Sequence, residues 1–264
     1  MIPWTGGDAA ARAAAFLASA RRLLVFTGSG MSRESNIPTF RDARDGLWAR
    51  CDPSELATPA AFARTPARVF GWYVARWQRA RAAAPHAGYE ALARLEERFA
   101  EFVVVTQNVD GLHRRAGSRE VVELHGSLDA FRCGGADPHP YHADRLRDVR
   151  PAPDGSVEPP RCDVCGALIR PGVVWFGEML PADAVGRAWR AAQEAQVVLV
   201  IGTSGVVFPA AEVPLIARQS GARIIEINPD RTPLANLADL WWSEPAGLAL
   251  PRLEAVLAET VVAA

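Results

Sequence analysis

Short, strongly apolar runs alternate along the chain with longer segments in which apolar residues recur at helical spacing. The runs predict buried strands, and they cover residues 23–26, 102–106, 121–125, 197–201 and 223–227. The longer segments predict helices over residues 8–22, 59–84 with a break at Pro66, 89–99, 181–196 and 210–220, and from Pro251 onward. Strands that alternate with helices favour an α/β fold with a doubly wound, parallel, Rossmann-like sheet.

Two interruptions of this pattern predict inserts in the sheet domain. Residues 131–171 are dominated by proline, glycine, histidine and cysteine, and they lose the apolar periodicity. We expect them to form a small zinc-ribbon-like domain that is held by something other than a core. Residues 51–85 predict a helical insert, which leaves 1–50, 86–130 and 172–264 for the Rossmann-like, cofactor-binding domain.

Composition and charge narrow the classes of function. The 264 residues suffice for one large domain with inserts, and an apolar fraction of 49% supports a substantial core. A net charge of −1 gives no electrostatic footprint for nucleic acid or an anionic membrane. Neither a bilayer-spanning run nor a signal-peptide pattern is present, and four cysteines without a secretory signal favour a reducing compartment. We therefore expect a cytoplasmic protein that binds neither nucleic acid nor membrane.

Polar side chains follow two of the predicted strands. Gln107, Asn108 and Asp110 come directly after one strand, with His113 close behind, and His125 follows the next strand. Ligands of open parallel sheets bind beyond the carboxyl ends of the strands. These clusters therefore predict a site for a polar, hydroxyl-rich ligand.

A glycine-containing loop follows the first predicted strand. Its residues, Gly28-Ser-Gly-Met-Ser32, lead into a helical stretch, and glycines let a backbone approach a pyrophosphate closely. The dehydrogenase fingerprint is incomplete, because Arg33 stands where its third glycine belongs and the required acidic strand end is missing. On this motif alone, a tight structural turn and a ligand-binding loop remain alternatives.

Further motifs accompany this loop in a characteristic order. They are Ile37-Pro-Thr-Phe-Arg41, Gly46-Leu-Trp48, Thr106-Gln-Asn-Val-Asp-Gly-Leu-His113, Leu124-His-Gly126, Val174-Trp-Phe-Gly-Glu178, Gly202-Thr-Ser204 and Asn228. In this order and spacing the sequence resembles the sirtuins, the Sir2-like NAD-dependent protein lysine deacylases, over nearly the whole chain. The resemblance implies an enzyme that removes acyl groups from lysine in proteins or peptides and forms nicotinamide and an O-acyl-ADP-ribose from NAD.

The resemblance also implies roles for individual residues. The residues implied to bind the cofactor are Gly28, Ser29, Gly30, Ser32, Phe40, Arg41, Trp48, Gln107, Asn108, Asp110, Gly202, Thr203, Ser204, Asn228 and Ala246. Catalytic roles are implied for His125, as the general base, and for Asn108. A neutral imidazole, with an ordinary pKa of about 6.5, suits the removal of a proton from a ribose hydroxyl. His86 and His113 most simply cap or pack.

One helical segment carries a clue to the acyl group. Tyr73 and Arg76 are three residues apart, so on a helix they share a face, and arginine with a phenol suits a carboxylate. Spacing alone would favour an ordinary amphipathic helix. Certain sirtuins that prefer succinyl-, malonyl- or glutaryl-lysine carry this pair, however, so we expect a desuccinylase and demalonylase of the bacterial type that also deacetylates. The implied substrate-binding residues are Tyr73, Arg76, Val174, Phe176, Gly177 and Glu178.

The cysteines leave a metal site incomplete. Cys162 and Cys165 form a C-x-x-C knuckle with good zinc-ligand spacing, and Cys133 lies upstream. Ala136 occupies the position where the family places a fourth cysteine. Asp137, His139 and His142 remain candidates for the fourth ligand, and a metal-free insert is the alternative to structural Zn²⁺.

Two other functions share part of this residue set. A protein ADP-ribosyltransferase would use the same NAD site without needing the Tyr73 and Arg76 pair. A non-catalytic NAD-binding sensor would tolerate the loss of His125, so the intact catalytic set makes it the weakest of the three readings.

Overall fold

The computed structural model of the chain describes residues 2–39 and 52–262. Within them, six strands form a central sheet, and with all strands numbered along the chain these are β1 (Arg22–Thr27), β2 (Glu101–Thr106), β3 (Val121–Glu123), β7 (Val197–Ile201), β8 (Arg223–Ile227) and β9 (Leu240–Trp242). Their order is β3-β2-β1-β7-β8-β9, and every neighbouring pair is parallel. The predicted α/β fold with a parallel, doubly wound sheet is confirmed.

Helices cover both faces of this sheet because its strands are apolar on both sides. Along β1, Leu23 and Val25 face one core and Leu24 and Phe26 face the other. The first core is closed by α1 (Gly6–Leu17), α5 (Ala87–Leu95) and α9 (Ala246–Val262), and the second by α7 (Ala182–Glu194) and α8 (Glu212–Gln219). The last helix therefore begins before the predicted start, and Pro251 lies inside it.

The chain forms a second sheet, which is antiparallel, directly after β3 of the main sheet. It has the order β5 (Pro140–His142), β4 (Gly126–Cys133) and β6 (Ile169–Val173). The periodicity of the sequence did not reveal these strands, since β5 and β6 are short and the longer β4 has a register shift between Ser127 and Phe131. β4 continues from β3 after only two residues, so it carries the chain out of the parallel sheet.

The small sheet packs on the helical segment α2 (Pro53–Leu56), α3 (Pro59–Arg64) and α4 (Pro66–Ala82). Phe70 and Trp77 of α4 share a buried cluster with Phe131 and Ile169 of the sheet. We call this cluster the small core. The small core corrects the expectation that residues 131–171 lack a core. The helical segment supplies about half of its residues, and the segment that contains the small sheet supplies the rest.

The remaining described elements are α6 (Leu112–Arg115) and 3-10 helices at Ser29–Ser35, Glu96–Arg98, Ala143–Leu146 and Pro233–Asn236. None of the helices in the described ranges combines the length and the apolar character that crossing a bilayer requires.

Candidate functional site

A cavity of about 900 Å³ opens where the chain order of the main sheet reverses, beyond the carboxyl ends of β1 and β7. Open α/β sheets bind ligands at such reversal points. The volume lies near the upper end of the range for cofactor and small-molecule sites. One part of its wall, the sheet end, contains Gly28, Gln107, Asn108, Gly202 and Thr203. Another part, the helix end, contains Tyr73, Arg76 and Trp175.

Two loops meet at the sheet end with no space for a side chain between them. The N–H of Gly30 donates to the carbonyl oxygen of Gly202 at 2.8 Å, and a Cβ atom built on Gly30 would lie 2.7 Å from that oxygen. Gly202 has a φ of +57°, in the left-handed region that glycine tolerates best. The glycines of both motifs therefore let the loops after β1 and β7 pack against each other and form one continuous wall.

Asn108 is held by the loop after β1. Its Nδ2 donates to the carbonyl oxygen of Gly28 at 2.9 Å and to Oγ of Ser32 at 3.1 Å. These bonds use both amide protons, so the Oδ1 acceptor is the group that Asn108 can offer to a ligand. The side chain is almost fully buried, at 6% exposure.

Asp110 continues this network deeper into the protein. Its Oδ2 accepts from Oγ of Ser32 at 2.7 Å, and its Oδ1 accepts from the N–H of Leu112 at 3.0 Å. Burial raises the pKa of Asp110, and the bonds from Ser32 and Leu112 oppose that shift. Asp110, Ser32 and Arg76 also line a second cavity of about 240 Å³. The carboxyl group is therefore a fixed acceptor below the main cavity.

Gln107 and Asn228 join the strand ends on either side of Thr203. Nε2 of Gln107 donates to Oγ1 of Thr203 at 2.9 Å, and Nδ2 of Asn228 donates to the carbonyl oxygen of Thr203 at 3.1 Å. Loops that follow three different strands are thus connected by side-chain amides. These bonds hold the three loops together at the cavity wall.

His125 lines the cavity and is oriented for proton acceptance. Its Nδ1 lies 3.0 Å from the carbonyl oxygen of Gln107. A carbonyl oxygen only accepts, so Nδ1 carries the proton and Nε2 keeps a free lone pair in the neutral ring. Burial lowers the pKa of His125, and the bond to Gln107 partly offsets this. The imidazole is therefore neutral, and able to act as a base, at neutral pH.

His113 lies in a different environment although it follows the adjacent strand, β2. Its Nε2 is 2.9 Å from Oγ1 of Thr27, whose own proton goes to Oγ1 of Thr106. Nε2 is therefore the protonated nitrogen, and among the described residues Nδ1 is buried without a partner. Burial lowers the pKa of His113 to about 3. The expectation that His113 packs rather than acts as a base agrees with this placement.

Tyr73 and Arg76 share one face of α4, as their spacing predicts, and both line the cavity. The hydroxyl of Tyr73 accepts a hydrogen bond of 3.1 Å from Nε1 of Trp175. The guanidinium carbon of Arg76 lies 4.5 Å from the ring centre of Trp72 and 5.6 Å from that of Tyr73. The helix end therefore presents a phenol and a guanidinium to the same cavity as His125.

Three cysteines and one histidine form a compact group at the edge of the small core. The ligand atoms of Cys133, His139, Cys162 and Cys165 all lie within 4.8 Å of one another. Cys133 Sγ is 3.4 Å from Nδ1 of His139 and 3.6 Å from Sγ of Cys165. Zinc–sulfur bonds of about 2.3 Å in a tetrahedron require ligand separations of roughly 3.7 Å. The group could therefore hold Zn²⁺.

This geometry supplies the fourth ligand that the sequence left open. His139, rather than Asp137 or His142, completes the described group. The N–H of His139 donates to Sγ of Cys133 at 3.1 Å, and this bond is the main reason that the pKa of Cys133 falls to about 6. A thiolate is the form that binds metal, so the loop prepares Cys133 for coordination.

The structure brings most of the sequence-predicted site residues to one cavity. Those that line it are Gly28, Ser29, Gly30, Tyr73, Arg76, Gln107, Asn108, His125, Val174, Phe176, Gly177, Glu178, Gly202, Thr203, Ser204, Asn228 and Ala246. Ser32 and Asp110 line the adjoining smaller cavity. Phe40, Arg41 and Trp48 lie outside the described residues.

The sequence assigned no role to Trp175 and did not single out His139. Trp175 lies inside the motif at residues 174–178, and its indole N–H points at the phenol of Tyr73. His139 was only one of several candidates, since its approach to Cys162 depends on the fold. For Trp175, the one local signal was a side chain with a polar N–H within an apolar run.

Comparison with known proteins gives a uniform answer. A family model described as the Sir2 family matches residues 28–209. The chain is 51% identical over 238 residues to the NAD-dependent protein deacylase 1 of Pseudomonas aeruginosa, covering 90% of this chain and 94% of the relative. It is 47% identical over 237 residues to the NAD-dependent protein deacylase of Aquifex aeolicus, covering 90% and 95% of the two chains.

Solved structures agree with the sequence relatives. A Sir2 homologue in complex with NAD superimposes with a TM-score of 0.85 at 44% identity, covering 95% of this chain and 94% of the other. A Sir2 structure with a p53 peptide and NAD⁺ gives a TM-score of 0.80 at 31% identity, covering 95% and 98%.

Proposed function

The chain belongs to the Sir2 family and is an NAD-dependent protein deacylase, and from this premise we propose that it removes succinyl and malonyl groups, as well as acetyl groups, from protein lysines. One observation carries the acyl preference: Tyr73 and Arg76 line the same cavity as His125. Arginine binds carboxylates in a charge-assisted, often bidentate manner, and a phenol adds a further donor. An acyl chain that ends in a carboxylate fits this pair.

The residues at the sheet end suit the cofactor chemically. They offer hydroxyl, amide and carboxyl groups next to a glycine-lined wall, which matches the hydroxyl-rich, phosphate-bearing NAD. When bound, NAD supplies the ADP-ribose group to which the acyl group is transferred. We assign the ribose and nicotinamide region to Gln107, Asn108 and Asp110, and the adenosine region to Gly202, Thr203, Ser204, Asn228 and Ala246. Gly28, Ser29, Gly30 and Ser32 are assigned to the diphosphate and adjacent ribose.

His125 is proposed as the general base. Its neutral ring holds a proton on Nδ1, which bonds to the carbonyl oxygen of Gln107, and so Nε2 is left to take the proton of a hydroxyl. Asn108 stands on the same wall with its amide protons bonded to Gly28 and Ser32, so its oxygen orients the reacting sugar. No side chain is needed to attack the amide directly.

The substrate peptide is proposed to lie along residues 174–178. The N–H of Val174 donates to the carbonyl oxygen of His125, and the N–H of Phe176 donates to that of Ala57. These bonds fix residues 174–176 next to the general base, and the N–H of Glu178 closes a turn by donating to the carbonyl oxygen of Trp175 at 3.0 Å. Phe176 is half exposed at the cavity wall and offers an apolar surface to a peptide.

The decisive experiment is a panel of lysine peptides that differ only in the acyl group. Purified protein with NAD is incubated with acetyl-, malonyl-, succinyl- and glutaryl-lysine peptides, and products are followed by mass spectrometry. We expect a higher kcat/KM for succinyl and malonyl than for acetyl peptides, with formation of the matching O-acyl-ADP-ribose. Equal or greater efficiency on acetyl peptides would overturn the acyl preference. ADP-ribose attached to the peptide, without deacylation, would indicate a transferase.

A further inference from the structure

We propose that Trp175 is a positioning residue that fixes the direction in which the Tyr73 hydroxyl donates its hydrogen bond. The inference rests on the proposed function, because the acceptor of that bond is the carboxylate of the acyl group. It assigns the acyl selectivity to three residues, of which Trp175 acts only through Tyr73.

The hydrogen bond between the two residues has a fixed polarity. An indole N–H can only donate, so the 3.1 Å bond from Nε1 of Trp175 occupies a lone pair of the Tyr73 hydroxyl. Both side chains are only 2% exposed, so water does not compete for this bond. Within the described residues the hydroxyl makes no second hydrogen bond, and its proton is therefore left for another acceptor.

Arg76, the residue paired with Tyr73 on the helix, does not accept from the phenol either. The guanidinium of Arg76 has donors only, and its central carbon lies 5.6 Å from the ring centre of Tyr73. Burial raises the pKa of Tyr73 to about 12, so the phenol keeps its proton at neutral pH. Tyr73 and Arg76 thus offer only donors to the cavity. A carboxylate accepts from both of them, whereas the methyl group of an acetyl chain accepts from neither.

Trp175 is itself fixed more firmly than core packing requires. The guanidinium of Arg170 lies over its indole at 3.5 Å, and the ring of Phe62 packs at 5.3 Å between centroids. Arg170 is in turn bound to both carboxylate oxygens of Glu178, at 2.6 and 2.9 Å. One of those oxygens also accepts from the backbone N–H of Trp175 at 2.9 Å. The plane of the indole, and hence the direction of its N–H, is set from both sides.

A double-mutant cycle tests this role. Trp175→Phe keeps an aromatic ring and removes the N–H, and Tyr73→Phe removes the hydroxyl. With a succinyl-lysine peptide, we expect Trp175→Phe to raise KM by roughly three- to tenfold, as the loss of one well-directed hydrogen bond would. Because Trp175 also lies along the proposed peptide path, the two peptides are compared by the ratio of the succinyl KM to the acetyl KM, which should rise by roughly threefold or more. In the Tyr73→Phe background, Trp175→Phe should have no further effect on that ratio.

The matched control is Trp77→Phe. Trp77 is also 2% exposed in the small core, and its indole N–H also makes a bond, of 2.8 Å to Asp129. Its replacement should lower stability by a similar amount without changing the ratio of the two KM values. If the effects of Trp175→Phe and Tyr73→Phe multiply, or if both peptides suffer equally, Trp175 only fills the core and the inference is wrong.

A spectroscopic measurement covers the case in which Trp175→Phe does not fold. With indole nitrogens labelled, we expect one Nε1–H resonance to move on Tyr73→Phe, and to move again on addition of succinyl peptide but not acetyl peptide. The absence of any such resonance would overturn the inference. If the wild-type enzyme shows no preference for succinyl peptides, the proposed acyl preference is wrong, and the role of Trp175 that rests on it is wrong as well.

Discussion

The two ends of the cavity are held together in different ways. At the sheet end, side-chain amides bridge loops that follow parallel strands of one sheet. At the helix end, the functional groups come from α4 and from the segment after β6, which meet in the small core. Gln107 and Asn108 bond to loops whose spacing is already set by the hydrogen-bonded strands. Tyr73 reaches its partner Trp175 through one side-chain hydrogen bond and ring packing. The sheet end is therefore fixed by the fold, and the helix end by local packing.

This difference separates two properties of the enzyme. We expect substitutions in the small core to alter the acyl pocket more than the NAD wall, because the buried residues of the small core all lie outside the strands of the main sheet. The metal-ligand group is connected to the helix end, since Cys133 and Cys162 are members of the small core together with Tyr73 and Trp175. Stability, metal content and acyl selectivity should therefore vary together at the helix end.

Among the changes that distinguish the two ends of the cavity, removal of the metal should have the largest effect. Purified protein is expected to contain about one equivalent of zinc, because the four ligands match a tetrahedral site. Chelation should lower the unfolding midpoint by roughly 10 °C or more, since structural zinc contributes directly to folding. It should weaken binding of the acyl peptide more than binding of ADP-ribose, measured by calorimetry on the folded protein.

Cys162→Ser provides the control, because it lacks a ligand and should show no further change with chelator. Less than about 0.2 equivalents of metal in the purified protein would rule out the site. Equal weakening of both ligands would show that the two ends of the cavity are not independent.

Replacement of the proposed base should separate binding from turnover. His125→Ala is expected to lower kcat by about 10²- to 10⁴-fold, the range for loss of a general base, and to leave the dissociation constant for NAD within about threefold. In the unaltered enzyme, the acid limb of kcat/KM should lie below pH 6.5, because burial lowers the pKa of His125. Near-normal turnover by His125→Ala would sink the assignment.

The helix end should respond selectively to the loss of its charge. Arg76→Met is expected to lower kcat/KM for the succinyl peptide by about 100-fold, because a charge-assisted bond to carboxylate is lost. Deacetylation should change by less than about threefold. Arg68→Met is the control, since Arg68 lies on the same helix but pairs with Glu55 at the surface. An equal fall on both peptides would contradict the carboxylate pocket.

The smallest effect concerns stability at the sheet end. The pKa of His113 is about 3 in the folded protein and about 6.5 when unfolded, so between these values the unfolded state binds one proton more. Its contribution is complete above pH 6.5 and declines by about 1.4 kcal/mol for each unit of acidification below that. His113→Gln should therefore make the loss of stability between pH 6 and 4 shallower.

The ring of His113 packs on Tyr89 at 4.7 Å, and the nearby His86 contributes to the shift, so urea unfolding is compared by its slope with pH rather than by its absolute value. His142→Gln is the control, because His142 is exposed and does not belong to the metal-ligand group. An unchanged slope for His113→Gln would show that this imidazole is protonated in the folded state.

Local pattern predicted five of the six described strands of the main sheet and missed β9 at its edge. The strands at 197–201 and 223–227 have the bounds that their apolar runs indicated, because a buried parallel strand needs little beyond such a run. The small sheet was missed. Its strands alternate poorly, and β4 pairs on both sides with segments that only the folded chain brings to it.

The sequence by itself determined the five strands of the main sheet that its apolar runs mark, the family and the cofactor chemistry, since these rest on residues that act within short contiguous motifs. The tertiary structure decided what each candidate side chain faces. His139, not a neighbour, reaches the cysteines, and Trp175 meets Tyr73 from 102 positions away. His113 and His125 follow adjacent strands, yet they face different groups. His113 bonds to the buried Thr27, whereas His125 bonds to the carbonyl oxygen of Gln107 at the cavity. Hydrogen-bond direction and burial arise from contacts between distant segments, and no local pattern encodes them.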